Sequence, residues 1–201
     1  MDRDIQQRPV PLRYQQPDRF LSDWVLHDTQ EDVDYLPQTH LRIWYNNEKG
    51  IYNTHHHSAM EVMVCMEEES IVIANGETFR LNEGDILITP PHMLHKLIFE
   101  QFGVRFIFLI DVEMLKNYQD YRVLDPLFMQ AFLCTPATHP QIYQQVYDGF
   151  IRMTELYFSH KSFWELRIYG VLLETVSTIG RSFFAKALPT DQALSDEKHW
   201  E

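Results

Sequence analysis

Through the middle of the chain, hydrophobic and polar residues alternate in short runs with a period of two. LRIWYN (41–46), AMEVMVCM (59–66), SIVIA (70–74), TFRL (78–81), DILITP (85–90), HKLIFE (95–100) and VRFIFLI (104–110) predict seven strands. Turn residues separate them: Asn75-Gly76, Asn82-Glu83-Gly84-Asp85 and Pro90-Pro91. Asn-Gly between two strand patterns predicts a hairpin, because both central positions of a type I′ turn need positive φ. No helical pattern interrupts the series. The expectation is therefore a mainly β fold, a sandwich or barrel, and a doubly wound parallel sheet is excluded.

After Asp111 the period changes to that of helices. Val112 to Asn117 and Leu124 to Leu133 read as short helices, the second with Pro126 in its first turn. Residues 140–159 carry Ile142, Val146, Phe150, Met153 and Tyr157 at spacings of three and four. Residues 162–187 carry Ile168, Leu172, Val176, Ile179 and Phe183 in the same way. Ser162 and Glu165 have the spacing of a capping box. The short Ser159-His160-Lys161 link predicts antiparallel neighbours. Trp164, Val171 and Phe184 widen the apolar stripe of the second helix, as in a helix that packs on two partners.

The ends differ from this body. Residues 1–34 are rich in Gln, Asp, Arg and Pro, with Tyr14, Phe20 and Trp24 scattered among them. They read as an arm lying against other structure, with a short strand around Phe20 to Leu26. Residues 188–201 have the character of a linker. The expected division is an arm (1–34), a barrel (35–111), a helical region (112–187) and a linker (188–201).

Composition narrows the function classes. At 201 residues the chain suits one domain with an appendage. Lys and Arg number 17 against 29 Asp and Glu, a formal net charge of −12, with no basic cluster of the kind that grips phosphate backbones. No run of 18 apolar residues is present to span a membrane, and MDRDIQQRPVPLRYQQ is too polar for a signal peptide. Cys65 and Cys134 sit in apolar runs and suit a reducing, cytoplasmic setting.

The candidate chemistry lies in histidines. On one strand His55, His57 and Glu61 would point to one side, followed by Met63 and Cys65, while Met60, Val62, Val64 and Met66 would face the other. A strand without charge on its second face is one covered on both sides. His92 and His95 follow the Pro90-Pro91 turn. Three roles suit His55, His57, Glu61 and His95: metal ligation, direct hydrogen bonding to an organic ligand with Met63 beside them, or mutual satisfaction inside a wall. His56 faces away and reads as a surface or inter-element residue, and His92 as a solvated turn residue. Phe106, Phe108 and Cys65 read as core. Arg42 and Trp44 share one face of their strand and Ile43 and Tyr45 the other, with the inward face left open.

His55-x-His57-x-x-x-Glu61 and Gly84-x5-Pro90-x4-His95 resemble the two motifs of the cupins, in order. That resemblance implies a double-stranded β-helix, or jelly-roll, barrel. It also implies that two histidines, a glutamate and a third histidine converge on one divalent ion, Zn, Ni, Mn or Fe. Three positions depart from the pattern: Glu68 and His92 stand where the motifs have glycine, and Phe99 where the second has asparagine.

The run HHHSAMEVMVCMEEESIVIANGETFRLNEGDILITPPHMLHKL resembles something narrower, the N-terminal half of AraC-type transcriptional regulators. That resemblance covers about residues 40–187. It implies a barrel that senses a small-molecule effector, an arm, and a homodimer formed through residues 140–187. It further implies DNA contact only through a C-terminal domain missing from this chain, the sequence stopping at SDEKHWE where the linker would lead into it. A stand-alone metal-dependent cupin enzyme, a dioxygenase or isomerase, is the alternative. The long helical tail favours the non-enzymatic sensor.

Overall fold

The computed structural model describes residues 5–16, 26–159 and 161–187. Among these residues twelve strands in chain order run β1 Gln6–Gln7, β2 Leu26–His27, β3 Gln30–Glu31, β4 Leu41–Asn46, β5 Glu48–His55, β6 Met60–Cys65, β7 Ser70–Ala74, β8 Glu77–Leu81, β9 Ile86–Thr89, β10 His95–Phe99, β11 Arg105–Ile110 and β12 Phe132–Cys134. Helices α1, Tyr143–Ser159, and α2, Trp164–Ala187, follow. Two five-stranded antiparallel sheets, β1-β5-β10-β7-β8 and β12-β9-β6-β11-β4, face each other as the two walls of a barrel; β2 and β3 form a separate hairpin.

Alternation places the residues of each strand. In β6, Met63 and Cys65 face the barrel interior with Leu87, Leu97, Ile107 and Leu109, whereas Met60, Val62 and Val64 face the helices. The helix-side layer joins Ile43, Ile88 and Phe108 to Val146, Phe150 and Leu172, with the Phe108 and Phe150 rings edge to face at 5.1 Å. Truncating a buried ring such as Phe150 to Ala costs about 3–5 kcal/mol. Ile43 and Tyr45 belong to the helix-side core, so Arg42 and Trp44 face inward, the Arg42 guanidinium 4.3 Å from the Trp44 ring.

The helices are antiparallel. Near the connection the Tyr157 and Trp164 rings meet at 5.8 Å, and further out Gly149 touches Thr175. A Cβ at Gly149 would lie 2.3 Å from Thr175 Oγ1, so only glycine permits this approach. Asn75 and Gly76 take φ of 48° and 83°, as a type I′ hairpin requires.

Several expectations need correction. The segment Leu124–Leu133 is not an α-helix: Gln119–Met129 is 3₁₀, and Phe132–Cys134 turns into a strand on β9. The region 112–187 is thus not purely helical, because β12 completes one barrel sheet. The arm likewise adds β1 to the edge of the other sheet at β5, and its Tyr14 stacks on Tyr45 at 4.7 Å. The expected strand at Phe20–Leu26 falls largely outside the described residues; Leu26 begins β2. The capping box fails too. Helix α2 starts at Trp164, two residues after Ser162, behind a Phe163 with φ of 60°.

The far end of the barrel is closed by a buried arginine that sequence patterns did not single out. Arg105 donates to Asn46 Oδ1 (2.8 Å), Glu48 O (3.2 Å) and Gly103 O (3.0 Å), and its guanidinium lies 3.7 Å from the centre of the Phe99 ring. Phe99 therefore serves as a platform for a buried cation. Burial pulls the Arg105 pKa down to about 10, which leaves it charged at neutral pH.

Candidate metal centre

His55, His57 and Glu61 do not share one strand as expected. His55 ends β5, His57 lies in the connection, and Glu61 is on β6 of the opposite sheet. They converge because the chain crosses from one wall to the other at this point. His95 opens β10 directly opposite His55 in the ladder. All four side chains are buried, and one ligand atom from each lies within 4.8 Å of the others. The His55 and His95 rings are 4.2 Å apart and the His57 and His95 rings 5.1 Å.

Backbone carbonyls fix the ring orientations. His55 Nδ1 is 2.7 Å from Asn53 O, His57 Nδ1 3.0 Å from Ala59 O, and His95 Nδ1 2.8 Å from Met93 O. A carbonyl can only accept, so each Nδ1 carries the proton and donates it. In its neutral form each ring then presents its Nε2 lone pair inward, the tautomer a metal ligand needs.

The spacing of the donors suits an ion. Glu61 Oε2 lies 3.4 Å from His57 Nε2 and 3.6 Å from His95 Nε2. Ligands bonded at about 2.1 Å and held at tetrahedral or octahedral angles are about 3.0–3.4 Å apart. His95 is only 1% exposed, yet its Nε2 makes no hydrogen bond among the described residues. A buried nitrogen left so costs free energy that a bound cation would remove. The set of three imidazoles and one carboxylate can hold a divalent first-row metal, Zn, Ni, Mn or Fe.

Electrostatics separate the four groups. Burial, aided by the neighbouring His95 charge, takes the His55 pKa down to about 4. Burial also opposes charge on Glu61, but the attraction of His95 and the hydrogen bond from His57 outweigh it and hold the carboxyl well below the ordinary range. At His95 burial is overcome by the attraction of the Glu61 carboxylate 3.6 Å away, so its pKa is raised.

Met63 stands one inward position beyond Glu61 on β6, within the apolar barrel interior, and Cys65 one further, its thiol donating to Leu81 O at 3.5 Å. His92 and His56 lie outside the four-donor set. They line a cleft of about 390 Å³ at the barrel mouth together with Gln30, Glu31, Asp32 and His57. The cleft and Glu31 were not legible beforehand, since the arm residues carry no motif. The two glycine departures are explained by the backbone. Glu68 and His92 take φ of 59° and 63°, so non-glycine residues occupy the left-handed conformation that the motif glycines would serve.

Similar folds occur among solved structures, at low overlap. A cupin-2 domain protein from Shewanella frigidimarina is 18% identical, over 36% of this chain and 72% of that one, with a TM-score of 0.34. A cupin 2 conserved barrel domain protein from Salinispora arenicola is 14% identical over 42% and 76%, with a TM-score of 0.34. A salicylate 1,2-dioxygenase variant from Pseudoaminobacter salicylatoxidans is 23% identical over 46% and 25%, with a TM-score of 0.33. Comparison with curated proteins returns no match. The model of the AraC-like ligand binding domain, by contrast, matches residues 42–173, a span that takes in all four donors, most of the barrel and the start of α2. With two-thirds of its length so matched, and with the barrel, buried donors and helix pair in place, the chain belongs to the AraC-like ligand binding domain family.

Proposed function

We propose that the chain is the effector-sensing and dimerising part of a cytoplasmic transcriptional regulator, with DNA contact made by a separate domain joined after residue 201. The observation that carries this reading is the cleft at the barrel mouth. Its walls come both from the arm (Gln30, Glu31, Asp32) and from the barrel lip (His56, His57, His92), beside the four buried donors. A small molecule seated there touches arm and barrel together, so it binds the docked arm differently from the released one, which is what a switch requires. About 390 Å³ suits a small metabolite. The carboxylates and imidazoles in its wall favour a polar, hydroxylated molecule over an apolar one.

In this reading His55, His57, Glu61 and His95 hold a divalent ion and Met63 packs beneath them. The ion would supply a Lewis-acidic contact for an effector oxygen. The helix pair 140–187 carries the dimer interface. Phe163 and Leu166, 75% and 68% exposed at the start of α2, are large apolar groups that a partner copy would cover. The source gene past the codon for Glu201 tests the regulator reading. A basic, twice-repeated helix-turn-helix within about 100 residues supports it; an immediate stop codon refutes it.

A metal-dependent dioxygenase or isomerase is the second reading, favoured by the three-histidine, one-glutamate set opening beside a cleft. Oxygen uptake or isomerisation by Fe-loaded protein, abolished in His57→Ala, would establish it. Absence of turnover over a panel of hydroxylated and aromatic acids, with metal bound, would remove it.

A further inference from the structure

The wall of the cleft at the barrel mouth carries fixed charge of one sign. The Glu31 and Asp32 carboxylates stand in it beside the Gln30 amide, the Ser58 hydroxyl and the imidazoles of His57 and His92, and among the described residues neither lysine nor arginine contributes. Arg42 feels the Glu31 charge but is no part of this wall, its guanidinium lying 4.3 Å from the Trp44 ring. We propose that the cleft takes a hydroxylated amine, an amino sugar or amino polyol, with its ammonium group held by Glu31 and Asp32 and its hydroxyls turned to the imidazole side. The inference rests on the reading that the cleft seats the effector, and it names the chemical class of that effector.

The two sides of the cleft are held by backbone hydrogen bonds. Glu31 N–H donates to His56 O and His56 N–H to Thr29 O, both at 2.8 Å, and His92 N–H donates to His57 O at 2.7 Å. Little ordering is then left for the ligand to bring about. The two carboxylates differ in setting. The Glu31 side chain is 11% exposed, so solvent and salt screen its charge weakly; Asp32 is 63% exposed and acts at the entrance. Glu31 lies 3.3 Å from His55 and Asp32 3.3 Å from His27. A carboxylate has about four acceptor sites, so neither contact bars a further donor. At the other side His57 belongs both to the cleft and to the four-donor set. There the His95 Nε2, in a residue 1% exposed, makes no hydrogen bond among the described residues. Hydroxyl oxygens suit that polar side.

Charge decides between the classes of small molecule that fit. An acid or a phosphorylated compound meets like charge at Glu31 and Asp32, and reaches an ion in the four-donor set only past them. A neutral polyol fits, but gives both carboxylates hydrogen bonds from uncharged donors. An ammonium group makes charge-assisted bonds to the same oxygens, roughly twice as strong.

The test titrates the full chain, chelated and Zn²⁺-loaded, by calorimetry with two sets of compounds matched in shape and differing in charge. One set is glucosamine, glucose and glucuronate; the other is serinol, glycerol and glycerate. Each amine should bind about 10-fold more tightly than its neutral counterpart, the acid most weakly, with the preference shrinking as salt rises. Glu31→Gln/Asp32→Asn keeps the side-chain shapes and the backbone bonds, and urea unfolding checks that it folds as wild type does. It should abolish the preference for the amine while leaving the affinity for glucose and glycerol in place. Asp34→Asn, close by but outside the wall, should keep the preference, which separates contact from the general field of an acidic chain. Amine and neutral compound binding alike to wild type, or a preference that survives in the double variant, overturns the proposal and leaves the effector reading standing. Binding by none of the six at millimolar concentration, to either form, sinks both.

Discussion

Replacing Glu68 with glycine should stabilise this protein, although it removes a side chain and adds none. Glu68 lies in the turn between β6 and β7 with φ of 59°, in the left-handed region where a Cβ crowds the following carbonyl. For an L-residue that conformation costs about 1–2 kcal/mol. Glycine escapes the cost but loses about 0.5–1 kcal/mol through the larger entropy of its unfolded chain. The difference leaves about 0.5–1 kcal/mol in favour of Glu68→Gly. In a domain of this size that raises Tm by about 1–4 °C. Glu68 is one of three consecutive acids, Glu67 to Glu69, so removing its charge also relieves repulsion. Glu68→Ala separates the two effects, because alanine loses the charge and keeps the strain. The assay is thermal and urea unfolding of wild type, Glu68→Ala and Glu68→Gly at two salt concentrations. Melting in the order Gly above Ala, with the gap independent of salt, supports the backbone argument. Equal midpoints for Gly and Ala, or a lower one for Gly, would refute it.

Other outcomes follow from the packing and the titrating groups. Gly149→Ala pushes a methyl to 2.3 Å from Thr175 Oγ1, so a loss of about 1–3 kcal/mol is expected in urea unfolding. Much of that loss should return in Gly149→Ala/Thr175→Ala, and additive losses would count against the contact. In chelated protein His55, with its pKa near 4 when folded against 6.5 when unfolded, takes up a proton earlier in the unfolded chain. Its contribution is therefore fully present above pH 6.5 and lost as pH falls toward 4, by up to about 3 kcal/mol. His95, raised by Glu61, acts in the opposite sense: it adds stability below 6.5 that fades as pH rises through its folded value. His55→Gln should flatten the loss of stability between pH 6.5 and 4; an unchanged profile would show that His55 does not carry it. Burial pushes the Cys134 thiol up to about 12, so the folded protein should resist alkylation there at pH 8 while urea-unfolded protein reacts. Rapid labelling of the native chain at Cys134 would contradict the burial.

The sequence by itself determined whatever depends on near neighbours. Period-two alternation marked the strands from LRIWYN to VRFIFLI, Asn75-Gly76 marked its hairpin, and three-and-four spacing marked α1 and α2, because these patterns are set within a few residues of chain. The spacing of His55, His57, Glu61 and His95 also singled out the donors, although for a partly mistaken reason: they meet across two sheets and not along one strand. Tertiary structure alone decided the rest. Which face of β4 turns inward depends on the helices that cover Ile43 and Tyr45, and the 3.6-like pattern of Leu124–Leu133 yielded its end to β9, whose free edge offered hydrogen bonds. The N-terminal half of α2 was capped by no box, since the turn at Phe163 moved its start beyond Ser162. Arg105 plugs the barrel, and Glu31 reaches His55 across 23 intervening positions with no spacing to announce it. Such meetings are fixed by the closure of the barrel and the docking of the arm, where contacts between distant segments decide which polar groups share a buried space.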